Sequence, residues 1–173
     1  LALLLNDREQ TRQAYERSLS LDPQEPTALE ARASYRAYLY NDLDGALADL
    51  NAAVKVAPGS STIWDAIGNL HDVRGDSRSA EAAYRKAIAL QPEDPLSYSN
   101  LAIFYLDHAM VDAAYKEIEH ALAADPGSDL TYAVRGRYYL QTGQVDKAIE
   151  DFLAASVGNP SYSQGQLLLA AAL

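Results

Sequence analysis

Residues 64–92 read WDAIGNLHDVRGDSRSAEAAYRKAIALQP, and the proline that closes this stretch is one of a regularly spaced set. Intervals of 35, 34, 34 and 34 residues separate Pro23, Pro58, Pro92, Pro126 and Pro160. A period of this length is typical of stacked helical units, in which each unit contacts only its neighbours. The sequence therefore predicts a tandem array of short helix pairs and not a single globular core.

Two stripes of residues, spaced by three and four, mark two helices in the unit that Pro92 closes. The first stripe is Trp64, Ile67, Gly68 and His71, and the second is Ala80, Tyr84 and Ala87. The small residues Gly68 and Ala80 are expected where the helices cross, with the ring of Tyr84 filling the space beside them. Pro92 ends the second helix, because proline lacks an amide donor and disfavours helical geometry in the residue before it.

The same pattern recurs in phase in the next two units. The equivalent residues are Tyr98, Leu101, Ala102, Tyr105, Ala114, Ile118 and Ala121, and then Tyr132, Arg135, Gly136, Tyr139, Ala148, Phe152 and Ala155. This pattern resembles the tetratricopeptide repeat, Trp-x-x-Leu-Gly-x-x-Tyr followed by Ala-x-x-x-Phe, Ala and Pro. The resemblance implies an all-α fold, a right-handed α-solenoid of stacked antiparallel helix pairs.

The spacing divides residues 1–173 into a single array of four repeats and two half repeats. The repeats are 24–60, 61–94, 95–128 and 129–162, and the halves are 1–23, a second helix, and 163–173, a first helix. Both ends fall inside a unit, so we expect a fragment of a longer array. The first helix of repeat 24–60, around Leu29 to Tyr40, fits two registers, and its groove face stays unassigned over 24–45.

Turn residues support these boundaries and predict helices of about 13 residues. Gly75 and Gly143 are expected in the turns inside repeats, where a left-handed residue ends a helix at little energetic cost. Asp76 is expected to cap the helix that follows Gly75. The expected starts of first helices are Asp94-Pro95 and Ser128-Asp129.

Charge and composition narrow the classes of partner. The formal net charge is −10, and residues 37–173 carry nine basic against eighteen acidic side chains. Nucleic-acid binding depends on Lys and Arg against phosphate, so the balance argues against nucleic acid and favours basic partners. No apolar run approaches the ~20 residues that span a bilayer, which predicts no membrane insertion. These features are typical of a soluble protein, and the sequence leaves the cytoplasm and the periplasm open as its compartment. The Ala-rich, Lys-poor composition favours a bacterial source.

Motifs for catalysis are absent from the sequence. It has no Cys, no Gly-rich phosphate loop, no dinucleotide fingerprint and no nucleophile elbow. His71 falls at a packing position, and the single Glu117/His120 pair lacks the second such motif of a di-iron bundle. The sequence predicts no enzyme, no cofactor and no metal. Acidic residues assigned to a solvated face of second helices are Asp146, Glu150 and Asp151.

The resemblance places function on the first helices, which in this family line a concave groove that receives a peptide or a helix of a partner. Inner-wall positions carried over from the family are Thr62, Asp65, Asn69 and Asp72, then Leu96, Ser99, Asn100, Ile103, Leu106 and Asp107, then Leu130, Arg137, Leu140 and Gln141. For each of them a solvent-facing or packing role is an open alternative. The chaperone-tail clamp of this family is not expected, since its cations would fall at Asp65, Leu130 and Val134.

The aliphatic residues of this set recur in phase, Leu96 with Leu130 and Leu106 with Leu140. With Ile103 they are expected to form an apolar strip that suits an amphipathic partner with a basic edge. On this expectation, changing both Leu106 and Leu140 to Ser weakens partner capture and leaves melting nearly intact.

Three functional hypotheses follow. The first is a noncatalytic protein-interaction scaffold. The second is a docking or regulatory part of a larger protein, such as an enzyme or a secretion or envelope-assembly component. The third is self-assembly of a homo-oligomer through the apolar terminal stretch 166–173, which reads QLLLAAAL.

Overall fold

The computed structural model describes residues 2–158 and 172, and in these residues every regular element is an α-helix. The helices are α1 Ala2–Leu21, α2 Pro26–Tyr40, α3 Leu43–Val56, α4 Ser61–Val73, α5 Ser77–Leu90, α6 Pro95–Asp107, α7 Val111–Ala124, α8 Asp129–Gln141 and α9 Val145–Gly158. Side chains are described for residues 8–157 and 172. The predicted all-α class is confirmed. Pro160 and the apolar stretch 166–173 lie outside the described residues, apart from residue 172.

The chain divides into two compact units, Leu1–Leu90 and Gln91–Leu173. In the first unit α2 pairs with α3 and α4 with α5, while α1 packs on α2, and α3 packs on α4. In the second unit α6 pairs with α7 and α8 with α9, and α8 packs on both helices of the preceding pair. We call α2, α4, α6 and α8 first helices and α3, α5, α7 and α9 second helices.

The turns and caps follow the signals in the sequence. Gly75 and Gly143 have φ angles of 78° and 73°, the left-handed geometry expected of them. The Asp76 carboxylate accepts the Ser79 amide at 3.1 Å and so caps the start of α5. In the α6–α7 turn the left-handed position is held by Ala109, with φ 57°, which is strained for a residue with a Cβ.

Glycine lets the paired helices approach each other, as predicted for Gly68. A Cβ added at Gly68 would lie 2.7 Å from the ring of Tyr84. A Cβ at Gly136 would clash in the same way with the ring of Phe152. The close approach of helix to ring is therefore repeated in both units.

A buried carboxylate joins the two helices in the pairs α2–α3 and α8–α9. In α2–α3 the Arg32 guanidinium donates to both oxygens of Asp49, at 2.9 and 2.7 Å. In α8–α9 the Arg135 guanidinium donates to both oxygens of Asp151, each at 2.7 Å. Such forked pairing is among the stronger charged hydrogen bonds.

The position of Asp151 corrects a sequence-based expectation. The sequence pattern predicts a solvated face for Asp151, yet Asp151 is only 5% exposed. The reason is that Arg135 stands at the position that carries Ile67 in α4, facing the paired helix, so its partner must lie inside the pair. Arg32 has the same place in α2, which also settles the register that sequence left open there.

Candidate functional site

The first helix α4 holds the predicted groove residues of the first unit. Thr62 and Asn69 are exposed and Asp72 is half-buried, whereas Asp65 is 5% exposed and offers little surface to a partner. The Tyr84 hydroxyl donates to Asn69 Oδ1 at 2.6 Å. Because that oxygen accepts the phenol proton, the side-chain NH₂ of Asn69 remains as its donor group.

The predicted residues of α6 and α8 are more deeply placed than the apolar-strip hypothesis assumed. Leu96, Asp107 and Gln141 are exposed, and Ser99 and Leu106 are buried; those half-buried are Asn100, Ile103, Leu130, Arg137 and Leu140. Leu106 is only 2% exposed. The expectation that a Leu106/Leu140 double substitution spares melting is therefore wrong, because removing a buried Leu destabilises the fold.

Polar contacts close the α6–α8 seam, the line along which these two first helices pack. Arg137 donates to the Asp107 carboxylate at 2.5 Å, and the Gln141 side chain donates to the Leu106 carbonyl at 3.2 Å. Deeper in the seam, the Ser99 and Thr131 hydroxyls lie 3.0 Å apart. Four predicted groove residues of the second unit, Leu106, Asp107, Arg137 and Gln141, thus bind each other across the seam, and Ser99 binds Thr131.

The matching α2–α4 seam of the first unit holds an apolar cleft of about 170 Å³. Its lining residues are Ala33, Ser34, Ala37 and Tyr38 of α2, Leu43 and Leu50 of α3, and Ala66, Asn69, Leu70 and Val73 of α4. Ala33, Leu50 and Leu70 are buried and form the floor. At the rim, Tyr38 is 78% and Val73 65% exposed. Sequence reasoning found only Asn69 of these residues.

The cleft exists because small residues stand where the second unit has large ones. Counted from the first residue of each helix, Ala37 in α2 corresponds to Leu106 in α6. By the same count Ala66 in α4 corresponds to Val134 in α8, and both large residues are buried. The sequence contains both small residues, Ala37 and Ala66. Recognising Ala37 as a cleft residue needs the register of α2, which the periodicity alone does not give.

Charges around the cleft rim favour a cation. Tyr38 lies near the end of α2 and Val73 ends α4, so the negative ends of two helix dipoles meet the rim. Both nearby arginines are engaged by carboxylates: Arg36 lies 2.9 Å from Asp49 Oδ2, and Arg74 lies 2.8 Å from Asp44. The rim thus has little positive charge left to offer an anionic ligand.

The His and carboxylate side chains of the described residues do not converge on a metal site. Within them, no group of three or more His, Cys, Asp or Glu side chains is placed to hold a metal ion. His71 Nδ1 lies 3.5 Å from the Asp76 carboxylate, and His120 Nδ1 lies 3.3 Å from Glu117 on an exposed face. Among the described helices, none has the length and apolar content needed to cross a membrane.

Family models described as "Tetratricopeptide repeat" match the chain at residues 83–116 and at 61–94 and 131–156. A thermophilic TPR protein of Thermus thermophilus superposes with a TM-score of 0.84 at 19% identity, over 99% of this chain and 93% of that one. PilW, a type IV pilus biogenesis factor, superposes with a TM-score of 0.72 at 23% identity, over 90% of this chain and 71% of that one.

A curated relative adds a different context. The mouse protein O-mannosyl-transferase TMTC1 is 30% identical over 93 residues, which cover 52% of this chain and 10% of that protein. The chain thus matches about a tenth of the length of a much larger protein. Taken together with the helix pairs, these matches support an all-α solenoid of tetratricopeptide repeats.

Proposed function

The chain belongs to the tetratricopeptide-repeat family, and on that premise we propose that it is a noncatalytic scaffold that holds a segment of a partner protein against its first helices. The observation that carries the proposal is the α2–α4 cleft, an apolar depression whose rim exposes Tyr38 and Val73. Apolar surface gathered around a depression is typical of interaction sites.

The cleft is preformed, which favours binding. Leu50 on the adjacent second helix α3 backs it, and Arg32 and Arg36 of α2 are both tied to Asp49 of α3. A surface held in this way loses little conformational freedom when a ligand arrives, so the ordering cost falls mainly on the partner segment.

The proposal keeps the sequence-predicted groove residues that have accessible side chains as candidate contacts. These are Asn69, Asp72, Leu96, Asn100, Ile103, Asp107, Leu130, Arg137, Leu140 and Gln141. The buried residues Asp65 and Leu106 instead support the surface from below. Within the first unit, Asn69 lines the cleft and adds a polar contact beside the apolar anchor.

Site-specific photo-crosslinking tests the proposal. A benzophenone amino acid is placed at position 38, at the cleft rim, and the matched control is placed at position 157, on the outer end of α9, where Val157 is 80% exposed. In extracts of the organism that makes the protein, position 38 is expected to yield a discrete protein adduct and position 157 none. Equal labelling from both positions, or no adduct from position 38, would contradict the proposal.

A second candidate is that the chain is the docking part of a larger protein whose activity lies elsewhere. The observation that favours it is the match to a tenth of the mouse O-mannosyl-transferase TMTC1. The structural likeness to the pilus factor PilW is compatible with an envelope-assembly role. Under this candidate the position-38 adduct includes a segment of the chain's own parent protein, which mass spectrometry of the crosslinked peptide identifies.

The self-assembly hypothesis depends on residues 166–173, which lie outside the described residues apart from residue 172.

A further inference from the structure

The size of the α2–α4 cleft limits what can fill it. Its volume of about 170 Å³ is close to that of an engineered apolar cavity, about 150 Å³, that admits a benzene molecule. One Leu, Met or Phe side chain fits a space of this size, whereas the apolar face of a whole helix does not. The cleft therefore suits a single anchor side chain and not an extended apolar surface.

The walls of the cleft are apolar almost throughout. Ala37 and Ala66 line it from the two first helices, and Leu43 and Leu50 line it from α3. A polar anchor would lose its hydrogen bonds to water there without replacement. An apolar anchor loses none, and it buries its own surface together with the exposed parts of Tyr38 and Val73.

Asn69 supplies a polar contact at the edge of this apolar space. Its side chain is exposed, lines the cleft, and is oriented by the Tyr84 hydroxyl, which donates to Oδ1 at 2.6 Å. The NH₂ group left by that contact can donate to a backbone carbonyl of a ligand. When a ligand places an apolar side chain in the cleft, its backbone lies at the cleft edge, where Asn69 can donate to a carbonyl.

The negative charge beside the rim determines which ligand residue is favoured next to the apolar anchor. The carboxyl ends of α2 and α4 lie at the rim, and Arg36 and Arg74 are occupied by Asp49 and Asp44. Negative helix ends attract Lys and Arg and repel carboxylates. Charge complementarity thus favours a basic residue next to the anchor.

We propose that the α2–α4 cleft recognises a partner segment through one large apolar side chain with a Lys or Arg beside it. This inference rests on the proposed scaffold function and names the ligand class of that same surface. The apolar anchor supplies most of the affinity, and the basic neighbour adds specificity and speed of association.

Selection from a random 12-residue peptide display library provides the probe. Bound peptides are sequenced, made as soluble peptides and titrated against the purified chain. Expected binders share one large apolar residue with an adjacent Lys or Arg. Replacing the apolar residue of the peptide by Ala weakens binding at least about tenfold. Replacing the basic residue by Glu also weakens binding.

Matched variants of the protein locate the site. Ala37→Leu introduces the residue that α6 carries at the same position and fills the cleft, so it is expected to weaken peptide binding at least about tenfold. Val73→Lys puts a cation on the exposed rim at a helix end that tolerates it, and is expected to weaken the same peptides. Val157→Lys is the control and leaves binding unchanged. Thermal melting of each variant shows that it is folded.

The outcomes separate this inference from the scaffold proposal. Loss of binding in both cleft variants, with the control intact, supports both. Peptides that bind Ala37→Leu and Val73→Lys as tightly as the natural chain overturn the ligand assignment and leave a scaffold that binds elsewhere. A library that yields no binder, or binders without the apolar-basic pattern, also overturns the ligand assignment. If, in addition, no adduct forms from position 38, the scaffold proposal fails as well.

Discussion

The α2–α4 seam and the α6–α8 seam are formed by the same kind of helix, yet the first holds an open cleft and the second is filled. Leu106 and Val134 fill the second seam, and Asp107 and Arg137 bridge its edge. At the corresponding positions the first seam has Ala37, Ala66, Tyr38 and Asn69. The comparison teaches that the side chains at four equivalent positions distinguish an open seam from a filled one in the same arrangement of helices.

The largest effect is expected from opening the filled seam. Leu106→Ala gives α6 the residue of α2 at that position, and we expect a loss of about 2–4 kcal/mol of unfolding free energy, because a buried Leu leaves a cavity. Urea denaturation followed by circular dichroism measures it. Leu140→Ala, at the same position in α8 but half-buried, is the control and is expected to lose less. Equal losses would show that Leu106 does not fill the seam.

The next effect concerns the ion pair between Arg135 and Asp151, which joins helices α8 and α9. Arg135→Met leaves the buried Asp151 carboxylate without its forked donor, and we expect a loss of about 2–3 kcal/mol. The double variant Arg135→Ile with Asp151→Ala copies the apolar pair Ile67 and Ala83 of α4–α5, and is expected to recover most of that loss. Chemical denaturation of the three proteins checks this. A double variant as unstable as the single one would contradict it.

A smaller effect compares the turns that follow α6 and α8. Ala109→Gly relieves a left-handed alanine with φ 57° and is expected to stabilise the second unit by about 0.5–1 kcal/mol. Gly143→Ala makes the reverse change at φ 73° in the next turn and is expected to destabilise it by about 1 kcal/mol. Thermal melting measures both. Shifts of the same sign would exclude backbone strain as the cause.

The smallest effect is a pH dependence of the unfolding free energy, which arises from a carboxyl that only the first of the two seams carries at this position. Glu30 occupies in α2 the position of Ser99 in α6, and burial raises the pKa of its carboxyl above the usual range. The folded state therefore holds that proton more tightly than the unfolded chain, and stability falls as pH rises through the raised pKa. Glu30→Gln removes this decline, so the variant gains stability relative to the natural chain at pH 7 and not at acidic pH.

The expected gain from Glu30→Gln at pH 7 is below about 1 kcal/mol, because the carboxyl is only half-buried. Urea midpoints across the pH range measure it, and Glu93→Gln at an exposed position is the control. A gain that is equal at acidic and neutral pH would assign the effect to something other than the Glu30 charge.

Much of the fold could be read from the sequence, because its determinants are local. Pro92, Gly75 and the stripe through Gly68 and Tyr84 each act within one repeat, and the helices, turns and close approach appear where these residues predict them. Asp151 was harder to place, since it reads alone as a surface charge, whereas Arg135 falls on the packing stripe of its helix. Only the pairing of α8 with α9 shows that they bury each other's charge.

The candidate site was largely beyond sequence reasoning for a physical reason. A cleft is defined by what is missing, and Ala37 and Ala66 belong to different repeats, so neither signals an opening alone. The in-phase recurrence of Leu106 and Leu140 fits an exposed apolar strip and equally fits residues that pack between first helices, so the sequence leaves both roles open. Burial distinguishes these two meanings, and periodicity does not.

Photo-crosslinking from position 38 in an Ala37→Leu background tests the central claim most directly, that the small residues of the α2–α4 seam create the partner site. With the cleft filled and the rim otherwise intact, we expect the partner adduct that is predicted for the natural background to be lost, while thermal melting shows a folded chain. An adduct of unchanged yield from the filled seam would contradict the account.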